Sequence, residues 1–195
     1  MRLPESWTDR FPFLAALEDD WEPVSKWAMI AWLAFYALFL WQLARGSGFL
    51  LMLDLVLIPV HEGGHLLFAW FGRTLSVMGG TFLQLFVPFA LAVYFFFRRQ
   101  VPGTVFSAFI FFEQLLPIAT YMADARRQEL PLLTVGNAES VEHDWYVLFS
   151  QFGVLEHDVQ IAGVVRALGW LGMLGTVAWL LWRSRAGMRT TLVSD

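Results

Sequence analysis

The sequence predicts an all-α protein that crosses a lipid bilayer several times. Three observations carry that expectation. Hydrophobic residues make up 57% of the 195 residues and charged residues only 15%, against about 45–50% and about 25% in soluble domains. The apolar residues collect in stretches close to the roughly 20 residues that a helix needs to cross hydrocarbon. Trp27, Trp41, Trp70 and Trp182 fall at the ends of these stretches, as in an aromatic belt. The same composition argues against a soluble enzyme and excludes a disordered chain, which needs low hydrophobicity and high net charge. The length allows one domain.

In chain order, residues 1–26 come first. They carry Pro4, Pro12 and six acidic residues, with no apolar run of the kind a signal peptide needs. Trp7, Phe11, Leu14, Leu17 and Trp21 recur near helical spacing, which predicts an N-terminal interfacial segment lying on the membrane. About five transmembrane helices follow. The first runs from about Trp27 to Ala44, before Arg45 and Gly46. The second runs from Phe49 to Phe71, before Gly72 and Arg73. The third runs from Leu75 to Phe97, before Arg98 and Arg99. The fourth runs from Val105 to Ala123, before Arg126 and Arg127. The fifth runs from near Ile161 to Trp182, before Arg183 and Arg185. The organisation is then an interfacial segment (1–26), a membrane-embedded unit (27–185) and a C-terminal tail (186–195). Five spans place the second and fourth loops on the side of the N-terminus. Basic residues near span ends number six on the opposite side (Arg45, Arg98, Arg99, Arg183, Arg185, Arg189) and four on this one (Lys26, Arg73, Arg126, Arg127). That small excess points the C-terminal side to the cytoplasm of a bacterial inner membrane.

Net charge is −4, and the 13 basic residues form no long run, so nucleic acid is not an expected partner. There is no cysteine. Disulfides and thiolate sites are therefore excluded, and any metal must be held by nitrogen and oxygen ligands. The second span contains Pro59-Val60-His61-Glu62-Gly63-Gly64-His65. This is H-E-x-x-H on a predicted helix. Residues four apart share a helix face, so both imidazoles can turn to one ion. Glu62 can act as base toward a metal-bound water. An ionisable side chain at membrane depth costs about 2.5–3.5 kcal/mol on insertion scales, so three within one stretch are hard to explain as packing. At about 1.5 Å per residue, His65 and His61 lie roughly 9 Å and 15 Å from the end of the span on the N-terminal side.

Two histidines leave a catalytic zinc site one protein ligand short. Three residues compete for that place: Asp124 at the end of span four, Glu113 within that span near the depth of His61, and His143 in the fourth loop. Pro59 frees the carbonyl of Leu55, so a kink there can admit water. Gly63 and Gly64 let a neighbouring helix or a substrate backbone come close. Asp54 lies two turns before His61, too far for direct ligation but able to make a polar contact. Gln84 and Gln114 are suited to interhelical hydrogen bonds or to gripping a substrate backbone. Glu142-His143-Asp144 recurs as Glu156-His157-Asp158, and both aspartates read as helix N-caps. Gly169, Gly172 and Gly175 read as packing positions in span five.

Over Pro59 to about Asp124, roughly a third of the chain, the sequence resembles the site-2-protease-like family of intramembrane zinc metalloproteases. His61-Glu62-Gly63-Gly64-His65 matches the family's first motif. Gly79-Gly80 with Gln84 and Pro88 looks like its intervening span, and Gln114-Leu115-Leu116-Pro117 looks like its N-x-x-P element with Gln for Asn. Ala123-Asp124-Ala125 stands where the family has Leu-Asp-Gly, two residues further from the proline. The Tyr121-to-Ala125 and His143-to-Trp145 segments look like those of a divergent bacterial branch. The resemblance implies a Zn2+ cofactor held by His61, His65 and Asp124, with His143 as an alternative or added ligand, and Glu62 as the catalytic base. It also implies a membrane-embedded endopeptidase that cleaves transmembrane or juxtamembrane segments by metal-activated water. Two other readings use the same residues. One is a non-catalytic accessory subunit of a larger membrane complex, with a structural metal closed by His61, His65, Asp124 and His143. Its aromatic content of 17%, with 10 Trp and 19 Phe, suits packing against lipid or other subunits. The other is a metal or proton transporter using Asp54, Glu62 and Glu113.

Overall fold

The computed structural model describes residues 21–46, 51–130 and 142–191, without the side chains of 51–55 and 185–191. Among these residues the chain is all-helical. The helices are α1 (Lys26–Ala44), α2 (Leu51–Phe68), α3 (Arg73–Phe97), α4 (Val101–Glu113), α5 (Leu115–Ala123), α6 (Asp144–Gln151) and α7 (Asp158–Thr191). Single 3-10 turns cover Ala69–Phe71 and Leu155–His157. The interfacial segment expected over 1–26 lies almost wholly outside the described residues. At the other end, α7 continues through Thr191, into the segment expected as a tail.

Local chemistry sets the boundaries. Ser25 caps α1 by accepting the Ala28 N–H at 3.2 Å. Gly72, at φ 96°, sits in a conformation closed to most residues and breaks α2 from α3. The fourth span splits at Gln114. Pro117 has no N–H to give the carbonyl of Glu113, so the helical ladder is interrupted there. Pro59 behaves differently, since α2 continues through it.

Among the described residues, four helical stretches are long and apolar enough to cross a membrane: Lys26–Ala44, Arg73–Phe97, Val101–Ala123 and Leu155–Ser184. The architecture is a helical polytopic one. The sequence predicts five such stretches. The remaining one is α2, whose 18 residues span about 27 Å; the side chains of its first five residues lie outside the described ones.

One core joins Tyr36 and Phe39 of α1, Val105 and Phe109 of α4, and Met173 and Leu180 of α7. The Tyr36 and Phe109 rings lie 4.8 Å apart. A second core, of Ile118, Ala119, Met122, Phe149 and Ala162, locks α5, α6 and α7 together. Gly169 and Gly172 are packing positions, facing Leu116 and Phe112, whereas Gly175 has open space beside it.

Helix α2 runs antiparallel to α3, with His61 beside Gln84, Gly64 beside Gly79, and His65 beside Ser76. The backbones touch. A Cβ added to Gly64 would fall 2.6 Å from the Gly79 carbonyl carbon and 2.9 Å from the Gly80 Cα. Neither neighbour can swing aside, because both are backbone. Gly64→Val is therefore expected to force the helices apart and lower stability by about 1–3 kcal/mol or more. Thermal unfolding in detergent would show it; a Tm equal to the parent's would mean that the helices have room to separate.

Candidate metal centre

His61 and His65 lie four residues apart on the face of α2 that packs on α3. Their rings meet edge-to-face at 4.7 Å. What makes room for them is Gly80. A Cβ there would fall 2.5 Å from Nε2 of His65 and 2.7 Å from Nε2 of His61.

Each ring is oriented through Nδ1. Nδ1 of His61 lies 3.0 Å from Oε1 of Gln84. Nδ1 of His65 lies 2.9 Å from the carbonyl oxygen of Ser76, whose hydroxyl donates back to the His65 carbonyl at 3.0 Å. Both partners are acceptor oxygens, so each Nδ1 carries the hydrogen and donates it. In a neutral imidazole that leaves Nε2 as a bare lone pair.

The two Nε2 atoms are 3.1 Å apart. Oδ2 of Asp144 lies 3.2 Å from that of His61 and 3.3 Å from that of His65. Three electron-rich atoms thus form a nearly regular triangle, which repels itself unless a proton or a cation sits among them. Ligands about 2.0–2.1 Å from a tetrahedral ion are about 3.3 Å from one another. The observed edges fit that figure. His61, His65 and Asp144 are the metal-capable group among the described residues.

Asp144 reaches the histidines because it does not cap its own helix. His143 is the N-cap of α6, its Nδ1 accepting the Tyr146 N–H at 3.3 Å. Asp144 is the first helical residue, and its own N–H donates to the Tyr121 hydroxyl at 3.1 Å. Its side chain is free to leave the helix for α2. Burial pushes the Asp144 carboxyl up, but hydrogen bonding to His61 and His65 outweighs burial and holds it below the ordinary carboxylate range. Without a cation, that bonding requires a proton on at least one ring.

The expected third ligands are elsewhere. Asp124 is turned back on its own loop, where Oδ1 and Oδ2 accept the Glu129 and Leu130 N–H groups at 3.0 Å each. Nε2 of His143 lies 3.6 Å from Oδ2 of Asp124, and the His143 ring packs on Tyr121 at 4.1 Å. Burial holds the His143 imidazole below its ordinary range. Asp124 and His143 therefore form a layer behind Asp144 and stay outside the triangle. Glu113 is fully buried and bonded to Gln114 at 2.7 Å. Glu62 is half-buried, close enough for its charge to reach the His65 ring and the Tyr121 phenol. The side chain of Asp54 lies outside the described residues. Asp158, the second expected cap, accepts the Val159 N–H at 2.7 Å and pairs with Arg126 at 2.7 Å, tying α7 to the end of α5.

Sequence reasoning did not single out Asp144 as a candidate ligand. It stands in a helix-opening triplet where Asp is a strong N-cap former, and only His143 taking the cap releases it. Gly80 was legible as a glycine of the third span, not as the floor of the site.

No protein-family model, curated protein or solved structure matches the chain.

Gly80→Ala is expected to displace both rings and to weaken Co2+ binding at least about tenfold, by the loss of ligand placement. Gly63→Ala, where an added Cβ meets nothing within 4 Å, is expected to bind as the parent does. Equal Co2+ absorption titrations for the parent and Gly80→Ala would show that the rings do not need this space.

Proposed function

We propose that this chain is a multi-pass, membrane-embedded zinc metalloendopeptidase of a bacterial inner membrane. His61, His65 and Asp144 hold the ion, and Glu62 is the catalytic base. The observation that carries the reading is the triangle of lone pairs, 3.1–3.3 Å on each edge, built next to a glutamate. Three ligands and no fourth among the described residues is the arrangement of a catalytic zinc site, whereas a structural site is closed by four. His143, the expected fourth, faces Asp124 instead. The accessory-subunit reading loses its closed shell on that point.

Bound zinc supplies a Lewis acid and brings the pKa of a coordinated water to about 7. The chain's own residues do the rest. Glu62 takes the proton from the attacking water and delivers it to the leaving amine. Its position next to His61 in the chain keeps it beside the ion. The open space over Gly63 admits an extended backbone next to Glu62. A helix hides its own peptide bonds, so a transmembrane or juxtamembrane substrate must unwind locally before it is cut. Tyr121 and the His143–Asp124 layer hold α6 so that Asp144 stays in reach.

Elemental analysis of the detergent-purified protein is expected to find about one zinc per chain, as for a single three-ligand site. The ion is expected to be lost in His61→Ala/His65→Ala and Asp144→Ala, but kept in Asp124→Ala. No zinc in the parent, after zinc is supplied and excess removed, would sink the proposal. Glu62→Gln is expected to keep its zinc and to lose peptidase activity by on the order of 10²–10⁴-fold. Zinc without any hydrolysis by the parent would return the chain to the accessory reading. Both imidazoles must be unprotonated to ligate, so zinc retention is expected to fall as the solution is acidified.

A further inference from the structure

A line of amides leads from the candidate centre into the core. Oε1 of Gln84 accepts from Nδ1 of His61 at 3.0 Å. Nε2 of Gln84 donates to Oε1 of Gln114 at 2.6 Å. Nε2 of Gln114 donates to Oε2 of Glu113 at 2.7 Å. Gln114 and Glu113 are fully buried, at the break between α4 and α5, and Gln84 is half-buried on α3. The line thus crosses from α2 through α3 to that break.

We propose that Glu113 is the positioning residue that sets the tautomer of His61 through Gln114 and Gln84. The argument is one of hydrogen-bond direction. Oε2 of Glu113 accepts from Gln114, so Gln114 turns its NH2 to Glu113. Its carbonyl oxygen then faces Gln84, which must answer with its own NH2. The carbonyl oxygen of Gln84 is left for His61, and Nδ1 of His61 must carry the hydrogen. Nε2 is then the bare nitrogen, and it is the one aimed at His65 and Asp144. Each amide on its own can turn either end to a neighbour. Only the acidic terminus removes the choice. A buried carboxylate in a membrane-spanning segment is costly to keep, and this role explains its place. Gln84 and Gln114 are therefore bonded to each other and to the site.

The consequence for metal affinity rests on the zinc reading; the tautomer does not. The experiment is long-range 1H–15N NMR of histidine-labelled, metal-free protein in detergent, with Co2+ titration alongside. The parent is expected to show His61 protonated on Nδ1. Glu113→Gln removes the obligatory acceptor and is expected to populate the Nε2-protonated form of His61. It is also expected to weaken Co2+ binding about 10–100-fold, as loss of an outer partner does. Gln84→Met removes the acceptor nearest the ring while leaving the buried pair alone. It is expected to give the same tautomer change, and serves if Glu113→Gln does not fold. His61 without a proton on Nδ1 in the parent, or an unchanged tautomer in a folded Glu113→Gln variant (in Gln84→Met where that one does not fold), overturns the proposal. A parent that binds no metal but shows the predicted tautomer shift would remove the zinc reading and leave the relay standing.

Discussion

The backbone contact between α2 and α3 governs the rest of the site. Gly64 lies on the Gly79–Gly80 backbone with no side chain between them. In lipid there is little hydrophobic drive between helices, so close van der Waals packing through small residues is the main adhesive. The same contact sets the depth of the histidines against α3. It lets Gln84 and Ser76 reach the Nδ1 atoms, and it puts Gly80 where the two rings need space. Packing and ligand geometry are decided by one arrangement of glycines, and a side chain at any of the three would disturb both.

The third member of the triangle arrives from a different part of the chain. Asp144 is 79 residues beyond His65. It is held by the second core, in which Phe149 of α6 packs with Ile118, Ala119 and Met122 of α5. The polar layer of Asp124, His143 and Tyr121 then aims it. The two expected ligands, Asp124 and His143, thus serve the site at one remove. Asp124 satisfies two backbone N–H groups of its own loop, which would otherwise be left without acceptors in a partly buried turn.

Polar groups in an apolar helical protein cost too much to leave without partners. Here they are consolidated. His61, Gln84, Gln114 and Glu113 form one line. Asp158 and Arg126 form a buried-to-surface pair at the end of α5. The line gives direction to a site, and the pair ties two helices. Both satisfy the same physical demand by opposite routes, one by a graded series of amides and one by direct charge pairing.

The sequence by itself determined the helical, membrane-crossing class, because hydrophobic run length answers directly to bilayer thickness. It also located the C-terminal ends of three spans. Ala44, Phe97 and Ala123 close α1, α3 and α5 as read. His61 and His65 were legible because spacing along one helix is local, and a four-residue separation means one face whatever the fold does. What only the tertiary structure decided was non-local. The third member of the triangle was decided by which of several carboxylates the packing of α5, α6 and α7 delivers to α2. No spacing rule relates residues some 80 apart in sequence. A one-residue change of capping, His143 in place of Asp144, is enough to turn a helix cap into a candidate ligand.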